Sequence, residues 1–158
     1  MQVWRIASAG LHHRADDLSG RGAELTGGRW NSKGLPLVYC ASSVSLACLE
    51  TLVRLNAASL PLNRYVVDIT IPDSVWDKRT IATPKKLPAT WGAIPAGMES
   101  VAWGDAWLKA NTSAVLQVPS AIVTQDNVVL INPRHPDAKR IKAVVRERFM
   151  YDGRLLLT

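Results

Sequence analysis

The apolar residues of this chain come in short runs, each closed by a proline or a polar turn. Leu35-Pro36-Leu37-Val38-Tyr39 leads into Ser42-Ser43, residues 65–71 end at Pro72, residues 114–118 at Pro119, and residues 128–131 at Asn132-Pro133. Runs of that length suit strands. Residues 65–71 also alternate, with Tyr65, Val67, Ile69 and Ile71 on one face and Asp68 and Thr70 on the other, the period of a half-buried strand. Residues 3–6 read as a first strand, 35–41 as a second, and 114–118, 120–123 and 128–131 as three more. A helix is expected from Ser43 to Asn56, started by Ser42 or Ser43 as N-cap, with Val44, Leu46, Leu49, Leu52, Val53 and Leu55 as a broad apolar side. Further helices are expected at 99–111, where Trp103 and Trp107 stand at i,i+4, and at 137–149, with Ile141, Val144 and Val145 inward. Residues 7–26 and 77–98 are rich in polar residues, glycine or proline and read as irregular connections. Residues 155–157 fit a returning edge strand. Strands dominate without a regular βαβ alternation. That predicts a single α+β domain over 1–158, with mixed, mostly antiparallel sheets and packed helices.

Composition narrows the function classes. With 158 residues, 47% hydrophobic and 20% charged, the chain is long enough for one buried core and unlike a disordered segment. No apolar run approaches the roughly 20 residues of a membrane span. The start, Met1-Gln2-Val3-Trp4-Arg5, lacks the pattern of a secretory signal, so a cytoplasmic chain without a membrane partner is expected. Cys40 and Cys48 lie in apolar context and are expected to be reduced, buried thiols. His12, His13 and His135 form no metal-ligand spacing, so no metal is expected. The net charge of +6 is concentrated at 134–148, where Arg134, Lys139, Arg140, Lys142, Arg146 and Arg148 face only Asp137 and Glu147. Such a stretch is either a solvated face or a surface for nucleic acid or an acidic partner; aromatic interleaving is missing, which favours the solvated face.

Three residues in the first third carry candidate chemistry. Arg29 sits in the turn Gly27-Gly28-Arg29-Trp30-Asn31, where paired glycines allow close backbone approach and the guanidinium offers a planar fork of donors. Tyr39 ends an apolar run. Glu50 shares a helical stripe with Ser43, Ala47 and Arg54, and the small Ala47 beside it leaves open space. A cation, an aromatic ring and a carboxylate suit a cationic phosphate ester such as NAD+: pyrophosphate on Arg29, nicotinamide on Tyr39, ribose on Glu50. Taken singly, each residue also has an ordinary structural role: a turn Arg paired with an acid, a core Tyr, a surface Glu50–Arg54 ion pair. The glycines fit neither a dinucleotide fingerprint nor a phosphate-binding P-loop, and no serine has a nucleophile-elbow context.

The order of these signals is more specific than any one of them. Trp4-Arg5-Ile6, Gly28-Arg29-Trp30-Asn31, Val38-Tyr39, the Ser-capped helix with Leu49-Glu50, Val118-Pro119-Ser120 and Asn132-Pro133-Arg134-His135-Pro136 succeed one another along nearly the whole chain. This order resembles the RES domain family, named for its Arg, Glu and Ser, which correspond here to Arg29, Glu50 and Ser120. The resemblance implies an ADP-ribosyltransferase-like fold and the toxin half of a bacterial toxin–antitoxin pair. It implies NAD+ as a substrate cleaved at the nicotinamide–ribose bond. The ADP-ribose would pass to water, to phosphate or to a target protein such as a metabolic enzyme. On that reading Glu50, Arg29 and Tyr39 are catalytic, and Arg29, Tyr39, Ser43, Ser120, Trp30 and Asn31 hold the dinucleotide, with Ser43 or Ser120 orienting Glu50. The expected partner is an Xre-type antitoxin that occludes the site and itself carries any DNA contact. Transferring toxins often place a second acid two residues before the catalytic Glu; here that position is Cys48. The alternative is a non-enzymatic basic module for nucleic acid or a protein partner, whose salt-sensitive binding would survive Glu50→Gln.

Overall fold

The computed structural model describes residues 1–11, 13–55 and 61–156. Its centre is a seven-stranded sheet. In chain order the strands are β1 (Gln2–Ser8), β2 (Val38–Ala41), β3 (Arg64–Thr70), β4 (Thr80–Ile81), β5 (Val115–Pro119), β6 (Asn127–Ile131) and β7 (Lys142–Phe149). Across the sheet they run β4-β5-β6-β2-β1-β3-β7. Every neighbouring pair is antiparallel except β4 with β5. The α+β architecture with a mixed, mostly antiparallel sheet is therefore the one expected.

Helices α1 (Arg21–Thr26), α2 (Val44–Leu52), α3 (Asp73–Trp76) and α4 (Met98–Ala110) fill the connections. Ser43 caps α2, its hydroxyl accepting from the Leu46 amide at 3.1 Å, and so satisfies a first-turn donor that would otherwise lack a partner. One sheet face buries Val3, Val38, Cys40, Val67, Ile69, Val129 and Ile131. By strand alternation the other face presents Leu116, Val118, Val128 and Leu130 to a cluster with Trp107 and Leu108 of α4. It also presents Ile6 and Ala41 to Leu46 and Ala47 of α2.

The pairing is uneven in a way that positions the site. β1 pairs with β3 over seven positions and β2 with β6 over four, whereas β1 meets β2 at the single position Trp4↔Ala41. The two halves of the sheet are internally laddered and joined by one rung, so the sheet parts between β1 and β2.

Several expectations need correction. Residues 21–26 form α1 rather than loop: Gly20, at φ 72°, turns the chain into the helix, and the Gly27 amide closes it on the Ala23 carbonyl at 2.8 Å. Residues 120–123 are a turn, not a strand. The expected 137–149 helix is instead a 3-10 turn at Pro136–Arg140 followed by β7. Ile141, Val144 and Val145 match a helical stripe, but β3 has a free edge whose amides and carbonyls need partners, and pairing with it wins. Only Ile141 is buried; Val144 and Val145 face outward. Leu49 and Val53 of the α2 region also face solvent instead of the core. At the C-terminus residues 153–156 form a 3-10 turn in place of an edge strand, and residue 157 lies outside the described residues, as does residue 56 at the end of the expected α2.

β7 is an edge strand, and it is guarded as edge strands commonly are, by charge and a bulge at Arg146. Most of the basic stretch is engaged within the molecule. Arg134 pairs with Glu24, Arg140 with Asp137, Arg146 with the buried Asp68, and Arg148 donates to the Leu62 carbonyl. This is a solvated, internally compensated face, and it does not favour the nucleic-acid reading.

Candidate functional site

The parting of β1 from β2 opens into a cleft of about 820 Å3. Trp4, Arg5, Ile6 and Ser8 of β1 line one side, Tyr39, Cys40 and Ala41 of β2 another, and α1 and α2 close over it. Ala47, Glu50 and Thr51 of α2 and Arg54 just past its end also line it; of the stripe read from the sequence, Ala47, Glu50 and Arg54 are there and Ser43 is not. The stripe's small member, Ala47, leaves the space that Glu50 faces.

Glu50 is held by Ser120. The Ser120 hydroxyl is buried and donates to Glu50 Oε1 at 2.8 Å. It accepts the amides of Ile122 and Val123 at 3.0 and 3.2 Å. A serine hydroxyl has one proton and two lone pairs. With both lone pairs taken, its proton is directed to the carboxylate, and Oε2 keeps its place for a ligand. Ser43, the other candidate for this role, caps α2 instead.

Tyr39 is also fixed. Its hydroxyl donates to Asn31 Oδ1 at 2.8 Å and accepts the Trp30 amide at 3.0 Å. Asn31 is buried, and its amide donates to the Ala23 and Leu35 carbonyls, both at 2.9 Å. Burial pushes the Tyr39 phenol up to about 12 from 10.0, against opposing pulls from the Trp30 amide, Arg54 and Arg29. The neutral phenol is thus favoured by folding. The stability it contributes is complete below pH 10 and is lost as pH rises through about 12. The difference in absorbance titration between wild type and Tyr39→Phe should be a late phenol ionisation near pH 12; a difference complete by pH 10 would contradict the burial.

Trp30 packs between Trp91, stacked at 6.5 Å, and Trp103, edge-on at 6.0 Å. It supports the turn from beneath and does not line the cleft. Arg29 lies beside the cleft lining rather than in it. Its Nη1 donates to the Trp91 and Ala93 carbonyls at 2.7 and 2.9 Å, so one edge of the guanidinium is tied to the 91–93 segment. Among the described residues its Nε and Nη2 have no partner. Burial lowers the Arg29 pKa and neighbouring Arg54 adds to that, while the charge of Glu50 works against both.

The cleft holds cations that the sequence reading did not single out as site residues. Arg5, Arg14, Arg21 and Arg64 line it together with Arg54, against Asp17 and Glu50. Arg14 is paired with Asp16 and Arg21 with Glu24, and Arg5 donates to the Asp17 carbonyl. The Arg54 guanidinium lies 5.4 Å from the Tyr39 ring centroid. Isolated arginines at strand and helix ends carry no spacing signal; only pairing across the split gathers them. Among the described residues no group of three or more His, Cys, Asp or Glu could hold a metal ion. No helix among them is long and apolar enough to cross a membrane. Cys40 and Cys48 are free thiols, with Cys40 buried and its pKa pushed up to about 12.

The family model described as RES domain matches residues 2–152. The chain belongs to the RES domain family. Among its relatives, "Prs ADP-ribosylating toxin" of Sphingobium sp. (strain YBL2) is 52% identical, over 97% of this chain and 95% of the relative. "Toxin Res" of Yersinia enterocolitica is 37% identical over 98% and 99%. Among solved structures, a chain of the M. tuberculosis MbcT–MbcA toxin–antitoxin complex superposes with a TM-score of 0.64 at 19% identity, covering 98% of this chain and 86% of that one. The same RES fold is therefore present in both. In this RES domain Glu50 and Ser120 are joined by a hydrogen bond across 70 residues of sequence.

Proposed function

We propose that this RES domain is the toxin half of a toxin–antitoxin pair. It breaks the nicotinamide–ribose bond of NAD+ and passes the ADP-ribosyl group to a protein, as the name of its Sphingobium relative states for Prs. The observation that carries the reading is the Ser120-held carboxylate of Glu50 facing a cationic cleft of dinucleotide size.

The chemistry follows from the leaving group. Nicotinamide in NAD+ is a cationic ring; when its bond to the ribose carbon breaks, the electron pair goes to the ring nitrogen and nicotinamide departs neutral. No general acid is required, unlike ordinary glycoside cleavage. What needs stabilising is the oxocarbenium-like ribose. Glu50 places negative charge beside it, and its free Oε2 accepts from a ribose hydroxyl. Tyr39 offers an aromatic face to the nicotinamide. The pyrophosphate is held by Arg54 and by the unengaged edge of Arg29. The acceptor nucleophile then bonds to the ribose carbon and gives up its proton to water.

Ser120 is a positioning residue on this reading. Ser120→Ala should lower kcat by about 10- to 100-fold while moving the NAD+ KM less than about threefold, because it loosens Glu50 and not the dinucleotide. Equal loss in a folded sample's NAD+ affinity would argue for a binding role instead.

The partner reading extends from the MbcT–MbcA complex, a toxin crystallised with its antitoxin. An Xre-type antitoxin would insert a segment into the cleft and meet its arginines. Saturating the cleft with a non-hydrolysable NAD+ analogue should then weaken antitoxin binding.

The deciding experiment is mass spectrometry of products from NAD+, with purified Prs, with phosphate and with neither. An ADP-ribosyl mass on Prs supports transfer. Free ADP-ribose or its phosphate alone supports hydrolysis or phosphorolysis at the same site. No NAD+ loss from folded protein overturns both.

A further inference from the structure

The helix that carries Glu50 displays an apolar stripe to solvent. Leu49 is 37% exposed and Val53 63% exposed, four residues apart and therefore one above the other on the same helix face. Ile122 is 38% exposed, and its amide binds the same Ser120 hydroxyl that holds Glu50. Across the cleft, Leu25 of α1 is 58% exposed and lines the opening. Isolated exposed leucines are common on protein surfaces. Here Leu49 is the chain neighbour of Glu50, Ile122 shares its Ser120 hydroxyl, and Leu25 lines the same cleft. Apolar groups gathered at one surface mark a contact for another macromolecule.

We infer that Leu49, Val53 and Ile122 form the surface on which the acceptor protein docks. The inference rests on the proposed transfer of ADP-ribose to a protein. The acceptor's nucleophile must reach the ribose carbon beside Glu50, so the surface surrounding that nucleophile necessarily covers the residues next to Glu50. The stripe begins one residue from it, on the same helix. Exposed Arg54 follows Val53 directly and lines the same opening. The complementary acceptor surface is therefore an apolar projection with acidic side chains at its rim. No second acid at position 48 is available to select the acceptor by activating it. Selection then falls to contact made outside the reacting atoms.

The test separates donor handling from acceptor handling. Leu49→Gln/Val53→Gln is compared with wild type and with Met98→Gln, a control at an exposed apolar residue of α4. NAD+ Kd by calorimetry, NAD+ turnover in water, and labelling of purified Prs by NAD+ are measured for each. The expected result is NAD+ Kd and water turnover within about twofold of wild type, with kcat/KM for Prs at least about tenfold lower, mainly through KM. The control should match wild type throughout. Unchanged Prs labelling would overturn the inference, as would parallel loss of NAD+ binding. Loss of antitoxin binding with labelling intact would assign the stripe to the antitoxin and also overturn it. If wild type consumes NAD+ but never labels Prs, the transfer reading fails, and this surface with it.

Discussion

Glu50→Gln should lower NAD+ turnover by at least about 10³-fold while leaving the fold and the NAD+ Kd nearly unchanged. The substitution keeps shape and the acceptor for Ser120 but removes the charge and turns the second oxygen into a donor, and on the proposed reading it is the charge that the oxocarbenium-like ribose requires. Ser120 can still donate to the amide oxygen, so the local network that holds α2 against the 120–123 turn survives. Thermal unfolding should shift by no more than a few degrees. Single-turnover kinetics are the suitable measurement, because they separate cleavage from product release. Wild-type-like cleavage by the variant would remove Glu50 from the chemistry. A variant that failed to bind NAD+ would make Glu50 a binding residue.

The largest stability effect is expected at Gly104→Ala. Gly104 lies on the buried side of α4 with Ser100, Trp107 and Leu108. A Cβ there would run into the Trp30 carbonyl. In an exposed helix the same change would stabilise by up to about 1 kcal/mol. Here the helix is pressed onto backbone that cannot yield easily, since Ser32 is clamped to Asp105 of α4 through its amide at 2.8 Å and its hydroxyl at 2.6 Å. Overpacking of this kind costs about 1–3 kcal/mol, so calorimetry should show a Tm lower by several degrees. The displaced turn holds Arg29 and supplies Trp30 and Asn31 to the Tyr39 hydroxyl, so NAD+ affinity should fall as well. A raised Tm would mean that α4 can slide away from Trp30.

These two sites differ in how far the sequence reveals them. The α2 stripe of Ala47, Glu50 and Arg54 was legible because helical spacing alone puts those side chains on one face, and the cap at Ser43 marks where counting starts. The sequence leaves Ser43 and Ser120 as alternatives for the partner of Glu50, and Ser120 enters only through the family pattern, since nothing local links residues 70 apart. Gly104 gave no signal: its close approach to Trp30 exists only once α4 lies on the sheet. The 137–149 segment reads as helix because Ile141, Val144 and Val145 satisfy a helical period, while the free edge of β3 that decides the matter lies far upstream, with Thr70 opposite Lys142 and Arg64 opposite Phe149. The single rung between β1 and β2, which makes the cleft, has no local counterpart in composition or spacing.

The Arg54 guanidinium lying against Tyr39 has a consequence for the catalytic cycle. A flat cation, the guanidinium, already occupies the neighbourhood of the phenol face. On the proposed reading, the nicotinamide ring of NAD+ is a second flat cation, and it arrives with two phosphates that draw Arg54 aside. Loading the site is thus an exchange of like for like at the aromatic ring. Bond cleavage then changes the terms: the ring on Tyr39 becomes neutral, and its hold on the phenol weakens. Arg54 competes for its old place once the phosphates leave. On that reading the arrangement favours clearing of spent nicotinamide, and the first product is expected to be a poor inhibitor of the next round.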